Sequence, residues 1–254
     1  MNSTHQPALP YWARILLIIV AYMIATGIFQ FIAMLLLKIP VTDMQSLQNL
    51  TVTQQLVLQI FTVIPMFLVV FIFRKFIDRR SFKSLGFSIK KRLSDIAAGF
   101  LFALIIIGGG TLILNALGFV EFADIQFSGR SLLLSLLIFI MVSLNEEIFM
   151  RGYILNNLMT TLNKYLSLII TALIFTLFHC MNLNLSVIGL VNLFLAGIIL
   201  GSTYIYTQNL WFPISLHLFW NYFQGPVLGF NVSGMSFESL FTLSLKGSDL
   251  MNGG

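Results

Sequence analysis

The chain has 254 residues, of which 58% are hydrophobic and only 9% are charged, and its mean hydropathy is +0.94. A soluble domain of this size would carry roughly a quarter charged residues, so the composition excludes an ordinary soluble domain and indicates a multi-spanning membrane protein. The formal net charge of +5 does not indicate nucleic-acid binding, because eight of the fourteen basic residues lie between Arg74 and Arg92.

The apolar runs predict an all-α fold, a polytopic transmembrane helical bundle of about seven spans. The first run is long enough to cross a hydrocarbon core of about 30 Å and too long for the apolar region of a cleavable signal peptide. A short polar loop at 41–49 follows it. Glycines at 108–110, and at 197 and 201, allow close helix packing. The predicted spans are about 15–37, 52–73, 96–120, 131–160, 165–180, 187–207 and 211–230.

The basic segment 74–92 predicts the orientation of the chain. Cytoplasmic loops of membrane proteins carry an excess of Lys and Arg and lie against anionic lipid. If 74–92 is a cytoplasmic loop, the N-terminus and the turn near 163–164 are cytoplasmic as well, and the weakly acidic loop at Glu121 lies outside. The sequence therefore predicts a multi-pass protein of the cell membrane with a cytoplasmic N-terminus. The pattern of 238–254 predicts no helix.

Two adjacent glutamates, Glu146 and Glu147, interrupt the fourth span. A carboxylate within a membrane is costly, and it is usually paired, functional or both. Residues four apart share a helix face, so Glu147 is expected to pair with Arg151, while Glu146 points about 100° away and is left without a local counter-charge. The pair is expected to be structural, and Glu146 is a candidate general base. The alternative is a buried ion-pair network that only holds helices together.

Two further pairs share a helix face at the same spacing, Phe175 with His179 and His217 with Asn221. A helical hairpin that turns near 162–163 places Glu146 and His179 at similar distances from the turn, on the order of 20 Å by helical rise. His217 and Asn221 could hydrogen-bond between helices, or they could donate to an oxyanion. His217 is expected to lie only about 12 Å from a loop near Asn209, unless that loop dips into the membrane near Trp211 and Pro213.

In this order, the three motifs resemble those of the CAAX-protease and bacteriocin-processing family, which includes the type II CAAX prenyl endopeptidases. The family pattern is Glu-Glu-x-x-x-Arg, Phe-x-x-x-His and His-x-x-x-Asn, and all three parts match without substitution. The resemblance implies a helical bundle with a conical cavity that faces the cytoplasm, and hydrolysis of a hydrophobic or membrane-associated peptide at the lipid bilayer. Residues 1–254 would form a single integral-membrane protease domain with its motif core at 131–230.

The resemblance also implies a role for each motif residue. Glu146 would activate water with the help of His179, and His217 and Asn221 would stabilise the oxyanion. Glu147 and Arg151, with Phe175, would support the site. We expect no metal or other cofactor. Zinc is the alternative, since one Glu and two His could bind it.

Two other functions remain open on the sequence, and the length of the chain is a separate point. The protein could be a non-catalytic immunity factor or scaffold, because some members of the family act in bacteriocin self-immunity. A proton-coupled transporter is less well supported, since neither an inverted repeat nor paired broken helices are present. Members of this family usually continue past a segment like 225–234 into a last membrane helix, so an eighth span is expected to be missing and the chain to be a fragment or a truncated form.

Overall fold

A computed structural model describes residues 9–40, 50–180, 182 and 186–247. The predicted loop at 41–49 and the last residues of the segment 238–254 lie outside this part of the chain. Its helices are α1 (Tyr11–Leu37), α2 (Val52–Ile72), α3 (Leu93–Ala103), α4 (Gly109–Ala116), α5 (Gly129–Glu147), α6 (Asn156–Leu158), α7 (Lys164–His179), α8 (Val187–Thr207) and α9 (Trp211–Tyr222). Wider π-helical segments cover Phe73–Ile77, Leu104–Gly108, Ile148–Leu155 and Phe223–Val227, a 3-10 turn covers Phe82–Leu85, and two strands, β1 (Val120–Ile125) and β2 (Phe241–Leu245), complete the described elements.

Among the described residues, five continuous helical segments are long and apolar enough to cross a membrane, which confirms a helical membrane protein. These segments are Tyr11–Leu37, Val52–Ile77, Leu93–Ala116, Gly129–Leu158 and Val187–Thr207. Two predicted spans are shorter as helices, because α7 has 16 residues and α9 has 12 residues followed by a π-helical turn of five. The number of seven spans therefore stays a prediction.

The places where the helices begin and end give the bundle two distinct ends. We call one the basic end: there α1 begins, α2 with its π-helical turn and α6 end, and the segment Phe82–Gly86 packs beside them. We call the other the sheet end, where α1 ends, α2 and α5 begin, and the two strands lie. Every site residue discussed below lies between these two ends.

Glycines bring two pairs of helices into close contact, although not all at the positions that the sequence indicates. A methyl group on Gly197 would lie 3.0 Å from the Cβ atom of Ala172, so α7 and α8 pack closely there, as expected. Around Gly108–Gly110, the nearest neighbour that such a group would meet is Leu104, on the same helical segment, so the expected close packing of this triplet is wrong. Gly99 has that role instead, because a methyl group there would lie 2.7 Å from the backbone nitrogen of Leu216 on α9.

A two-stranded sheet was not predicted, and it is a small addition to a fold that is otherwise helical. Strand β1 pairs antiparallel with β2, with Val120 opposite Leu245 and Ile125 opposite Phe241. The third span therefore ends at Ala116 rather than near Val120. The partner strand lies more than a hundred residues away in sequence, so neither strand could be recognised from its local pattern.

A buried polar cluster closes the basic end of the bundle. Asp78 is fully buried and accepts hydrogen bonds from Arg14 at 2.8 Å and from Arg74 at 3.0 Å. Asn157 also donates to Asp78, at 3.3 Å. Arg74 is therefore not one of the lipid-facing charges expected of the loop 74–92, since its side chain is only 1% exposed.

Candidate active site

A cavity of about 460 Å³ lies between the helices, and the three motifs meet at its floor. Glu146, His179, His217, Asn221 and Phe175 all line it. Its walls are mostly apolar and amide side chains from α1, α2 and α5, together with the turn at 232–237. They include Gln30, Gln55, Gln59, Ile138, Phe139, Phe178, Asn182 and Phe237.

The two glutamates have different surroundings because they point in different directions from the end of α5. Glu147 is fully buried, whereas the side chain of Glu146 is 25% exposed and faces the cavity. The wider π-helical segment Ile148–Leu155 begins immediately after them. Such segments are frequent at functional sites, since they change the direction in which side chains leave the helix.

Glu147 is held by two charged or polar groups from two helical segments. Its Oε1 atom accepts a hydrogen bond from Nη1 of Arg151 at 2.8 Å, so the expected ion pair is present. The same oxygen accepts one from Nδ1 of His217 on α9, also at 2.8 Å. Glu147 therefore fixes the position of His217, a contact that the sequence analysis did not include.

Glu146 has no such direct partner. Its Oε2 atom lies 3.9 Å from Nε2 of His179 and 3.7 Å from Nε2 of His217, both beyond hydrogen-bond distance. Within the described part of the chain, this buried oxygen has no hydrogen-bond partner. The hairpin argument from the sequence is supported, because Glu146 and His179 do lie side by side. The unpaired Oε2 atom of Glu146 points into the space between the two imidazole rings.

Both histidines are oriented by their Nδ1 atoms. Nδ1 of His179 is 2.8 Å from the carbonyl oxygen of Phe175, and Nδ1 of His217 is bonded to the carboxylate of Glu147. Since a carbonyl and a carboxylate only accept, each Nδ1 must carry the hydrogen. The two Nε2 atoms are therefore left to interact with whatever lies beside Glu146.

The ring of Phe175 packs against three of the other motif residues. The Arg151 guanidinium carbon lies 4.7 Å from its centroid, which is a cation–π contact. The His179 ring is 4.6 Å away and the His217 ring is 6.4 Å away, between centroids. Phe175 thus separates the buried ion pair from the cavity and supports both imidazoles.

The depth of His217 follows from where α9 begins. Asn209 donates to the carbonyl of Ser88 at 2.8 Å, and the backbone nitrogen of Leu210 donates to that of Gly86 at 3.0 Å. Leu210 and Leu85 both lie against Gly152, which is six residues before the end of α6. The start of α9 is therefore inside the bundle rather than at the level of the helix ends, and His217 reaches the glutamates.

Sequence reasoning missed the cavity wall that α1 and α2 provide. Tyr22 lines the cavity and its hydroxyl accepts a hydrogen bond from Nδ2 of Asn145 at 3.1 Å. Gln55 and Gln59 lie one turn apart on α2, and both line the cavity. Two amides four residues apart in an apolar span could have indicated this wall, because polar side chains in spans face the bundle interior.

The residue types at the floor are those of some zinc sites, so the distances between their donor atoms can be compared with those around a zinc ion. Ligands about 2.1 Å from a tetrahedral zinc ion lie roughly 3.4 Å from each other. The oxygen–nitrogen distances here are 3.7 and 3.9 Å. In the described ranges, no group of three or more His, Cys, Asp and Glu side chains has an arrangement that could hold a metal ion.

Comparison with known proteins gives a match to a protein family. Residues 128–223 match the model of a protein family described as type II CAAX prenyl endopeptidase Rce1-like. No curated protein and no solved structure matches the chain. The matched segment extends from the start of α5 to just after α9 and includes all three motifs. The resemblance to the type II CAAX prenyl endopeptidases is thereby confirmed for residues 128–223, the part of the chain that forms the floor of the cavity.

Proposed function

We propose that the protein is an intramembrane endopeptidase that hydrolyses a peptide bond of a hydrophobic or membrane-associated peptide. The family match supports a protease, and the apolar helices support a peptide substrate at the bilayer. The observation that carries the proposal is the position of Glu146. Its unpaired Oε2 atom faces the Nε2 atoms of both histidines, at the floor of a cavity large enough for peptide side chains.

In the first step Glu146 acts as the general base. A water molecule between Oε2 and the two Nε2 atoms would give a proton to Glu146 while its oxygen attacks the carbonyl carbon of the scissile bond. His179 assists by accepting a hydrogen bond from this water, since its Nδ1 hydrogen is used by the carbonyl of Phe175. Glu147 uses Oε1 for two hydrogen bonds, and its Oε2 atom is unpaired as well. Because Glu147 is fully buried and does not line the cavity, we assign the role of base to Glu146.

In the second step the site stabilises the negative charge on the carbonyl oxygen. Asn221 lies one helical turn from His217 and lines the same cavity, so its amide can donate to the oxyanion. His217 can donate through Nε2 when its ring carries both hydrogens, and Glu147 balances the charge of that ring. The carbon–nitrogen bond then breaks, and the leaving nitrogen takes the proton that Glu146 removed from water.

We also propose that residues 1–254 form a single integral-membrane domain of about seven spans, with a cytoplasmic N-terminus and a motif core at 131–230. Glu147, Arg151 and Phe175 are positioning residues in this proposal. Bacteriocin leaders, peptide pheromones and prenylated C-termini are the candidate substrate classes.

The test is cleavage of fluorogenic hydrophobic peptides by the purified protein in detergent, wild type against Glu146→Gln. A general base contributes about 10²- to 10⁴-fold to the rate, so we expect a loss of at least 10²-fold in kcat with an unchanged melting temperature. Glu121→Gln is the matched control, because that carboxylate is exposed and lies at the sheet end. Equal turnover by wild type and Glu146→Gln would contradict the assignment.

A zinc-dependent form of the same protease is the second candidate. It is favoured by one observation: each histidine donates through Nδ1 to a carbonyl or a carboxylate, as metal-binding histidines usually do. The cleavage assay is therefore repeated with a zinc chelator. Activity that survives the chelator supports a glutamate protease, and activity that is lost and then restored by zinc supports the metal form. A folded protein that cleaves nothing would favour the non-catalytic immunity or scaffold role.

A further inference from the structure

After α9 the chain turns back along the wall of the cavity. Residues 228–240, which we call the return segment, connect the π-helical turn Phe223–Val227 with β2. Four of them line the same cavity as Glu146, namely Val232, Ser233, Met235 and Phe237. The family match ends at residue 223, so this part of the cavity wall lies outside the matched region.

Hydrogen bonds tie the return segment to the helical turn that precedes it. Nε2 of Gln224 donates to the carbonyl oxygen of Asn231 at 2.6 Å. The backbone nitrogen of Leu240 donates to the carbonyl oxygen of Pro226 at 2.8 Å. Between these two bonds the chain reverses direction at 232–235, where two backbone hydrogen bonds connect the ends of the turn. The segment is therefore held to the bundle near both of its ends.

A further connection joins the return segment to the start of α5. Oγ of Ser131 donates a hydrogen bond to Oε2 of Glu238 at 2.6 Å. Such a bond is stronger than one between neutral groups, because its acceptor is charged. One residue before Glu238, the ring of Phe237 packs against the ring of Phe139 on α5, with centroids 4.9 Å apart. The bond between Ser131 and Glu238 therefore fixes where Phe237 lies against α5.

Phe139 relates this pair of rings to the floor of the cavity. It lines the cavity seven residues before Glu146 on the same helix, and Val142 between them lines it as well. Seven residues are almost two turns, so Phe139 and Glu146 share one helix face, about 10 Å apart along the axis. An extended peptide advances about 3.3 Å per residue. A peptide that lies along α5 with one bond at Glu146 thus has its third residue from that bond beside Phe237.

The surroundings of Phe237 are apolar. A methyl group on Gly225 would lie 2.8 Å from Cγ2 of Val232 and 3.3 Å from Cδ2 of Phe237, so these two side chains pack against the helical turn together. Phe139 and Met235 add apolar surface to the same wall of the cavity. An aliphatic or aromatic side chain gains free energy by leaving water for such surroundings.

We propose that Phe237 is a specificity-determining residue, which contacts an apolar substrate side chain about three residues from the scissile bond. Ser131 and Glu238 are positioning residues that hold Phe237 in place. This inference rests on the proposed function, because the scissile bond is located by Glu146. The selectivity at this position is then a property of this chain rather than of the matched family segment, since Phe237 lies beyond that segment.

The test is cleavage of a series of apolar peptides in which one leucine at a time is replaced by alanine. Mass spectrometry locates the cleaved bond. A shortened side chain in an apolar pocket lowers kcat/KM by tenfold or more, so we expect the wild type to show this loss about three residues from the bond, on one side. In Phe237→Ala the same replacement should change kcat/KM by less than about threefold. Phe127→Ala is the matched control, because Phe127 is 78% exposed and does not line the cavity.

The positioning role is tested at Glu238, whose side chain is exposed, so that its replacement does not disturb the core. Glu238→Ala removes the acceptor for Ser131 and should raise KM for the leucine peptide at least threefold with kcat unchanged. Glu238→Gln keeps an acceptor oxygen and should leave KM at the wild-type value. Equal KM values for all three proteins, or a fall in kcat alone, would contradict this role.

This inference and the protease proposal can fail separately. Cleavage with the same leucine preference in wild type and Phe237→Ala would overturn the inference and leave the protease in place, as would an effect confined to the residues next to the cleaved bond. If the wild type cleaves none of the peptides, their binding is measured by fluorescence anisotropy. A leucine preference in binding that Phe237→Ala removes would support the contact although the protease proposal fails. Equal binding of the whole series, or none, would overturn both.

Discussion

Two carboxylates inside the helical bundle have opposite surroundings. Asp78, at the basic end, accepts hydrogen bonds from Arg14, Arg74, Asn157 and Tyr153, so that both of its oxygens are used. Glu146, at the cavity floor, has two imidazoles near one oxygen and bonds to neither. Both carboxylates are costly in an apolar bundle, but only the first is compensated by its neighbours.

This difference separates structure from chemistry. A carboxylate whose acceptors are all used holds helices together and has nothing left to offer a substrate. A carboxylate with an unused acceptor beside a cavity is expensive for folding, and it persists where it does chemistry. We therefore infer a structural role for Asp78 and, under the proposed function, a chemical role for Glu146, and the two inferences can be tested separately.

The largest expected effect on stability is that of Asp78→Asn. It leaves Arg14 and Arg74 buried without a counter-charge, so we expect a loss of about 3 to 5 kcal/mol in the free energy of unfolding. Equilibrium unfolding in detergent micelles measures it. Asp95→Asn is the matched control, because Asp95 is partly exposed and pairs only with Arg92, three residues earlier. That control should cost at most about 1 kcal/mol. Equal effects of the two variants would contradict the structural assignment of Asp78.

The next largest expected effect is that of Asn221→Ala, which should lower the catalytic rate. Removing one oxyanion donor typically lowers kcat by about 10²- to 10³-fold. Asn221 is only partly buried, so the free energy of unfolding should change by roughly 0.5 kcal/mol or less. Steady-state kinetics with the fluorogenic peptide separates kcat from KM. A change in KM alone would mean that Asn221 binds the substrate without stabilising the oxyanion.

The smallest expected effect concerns a residue in the wall of the cavity rather than in its floor. Tyr22→Phe removes the hydroxyl that accepts a hydrogen bond from Asn145, the residue before Glu146. We expect a loss of about 1 kcal/mol in stability, the usual net value of one hydrogen bond, and a change in kcat below about tenfold. A loss of kcat as large as that of Glu146→Gln would mean that Tyr22 takes part in catalysis. The contrast between the cluster around Asp78 and the cavity floor would then no longer hold.

Local patterns in the sequence were sufficient for the helices and for contacts within one helix. The pair of Glu147 and Arg151 follows from their spacing of four, and the approach of Glu146 to His179 follows from a single hairpin. The bond from His217 to Glu147 could not be predicted, because it depends on how α9 packs against α5. Its geometry is set partly by Gly99, whose lack of a side chain brings the backbone of α3 against α9.

The elements that the sequence did not predict depend on partners distant in the chain. Strand β1 forms only because β2 lies beside it, and the residue types of the two segments do not by themselves indicate a strand. The wall from α1 and α2 depends on single amides in apolar helices, each of which is a weak signal alone. The buried cluster around Asp78 could not be predicted from the segment 74–92, because its partner Arg14 is 64 positions away in sequence.

The π-helical segment Ile148–Leu155 connects the two carboxylate clusters within one continuous helix. Glu146 and Glu147 precede it, and Asn156 and Asn157, which bind Arg74 and Arg14, follow it directly. Removing or adding one residue would rotate everything beyond that point by about 100° relative to the glutamates. Within this stretch, Arg151 donates to Glu147 and Tyr153 donates to Asp78. The number of residues between the cavity floor and the cluster around Asp78 is therefore constrained together with the identity of these two side chains.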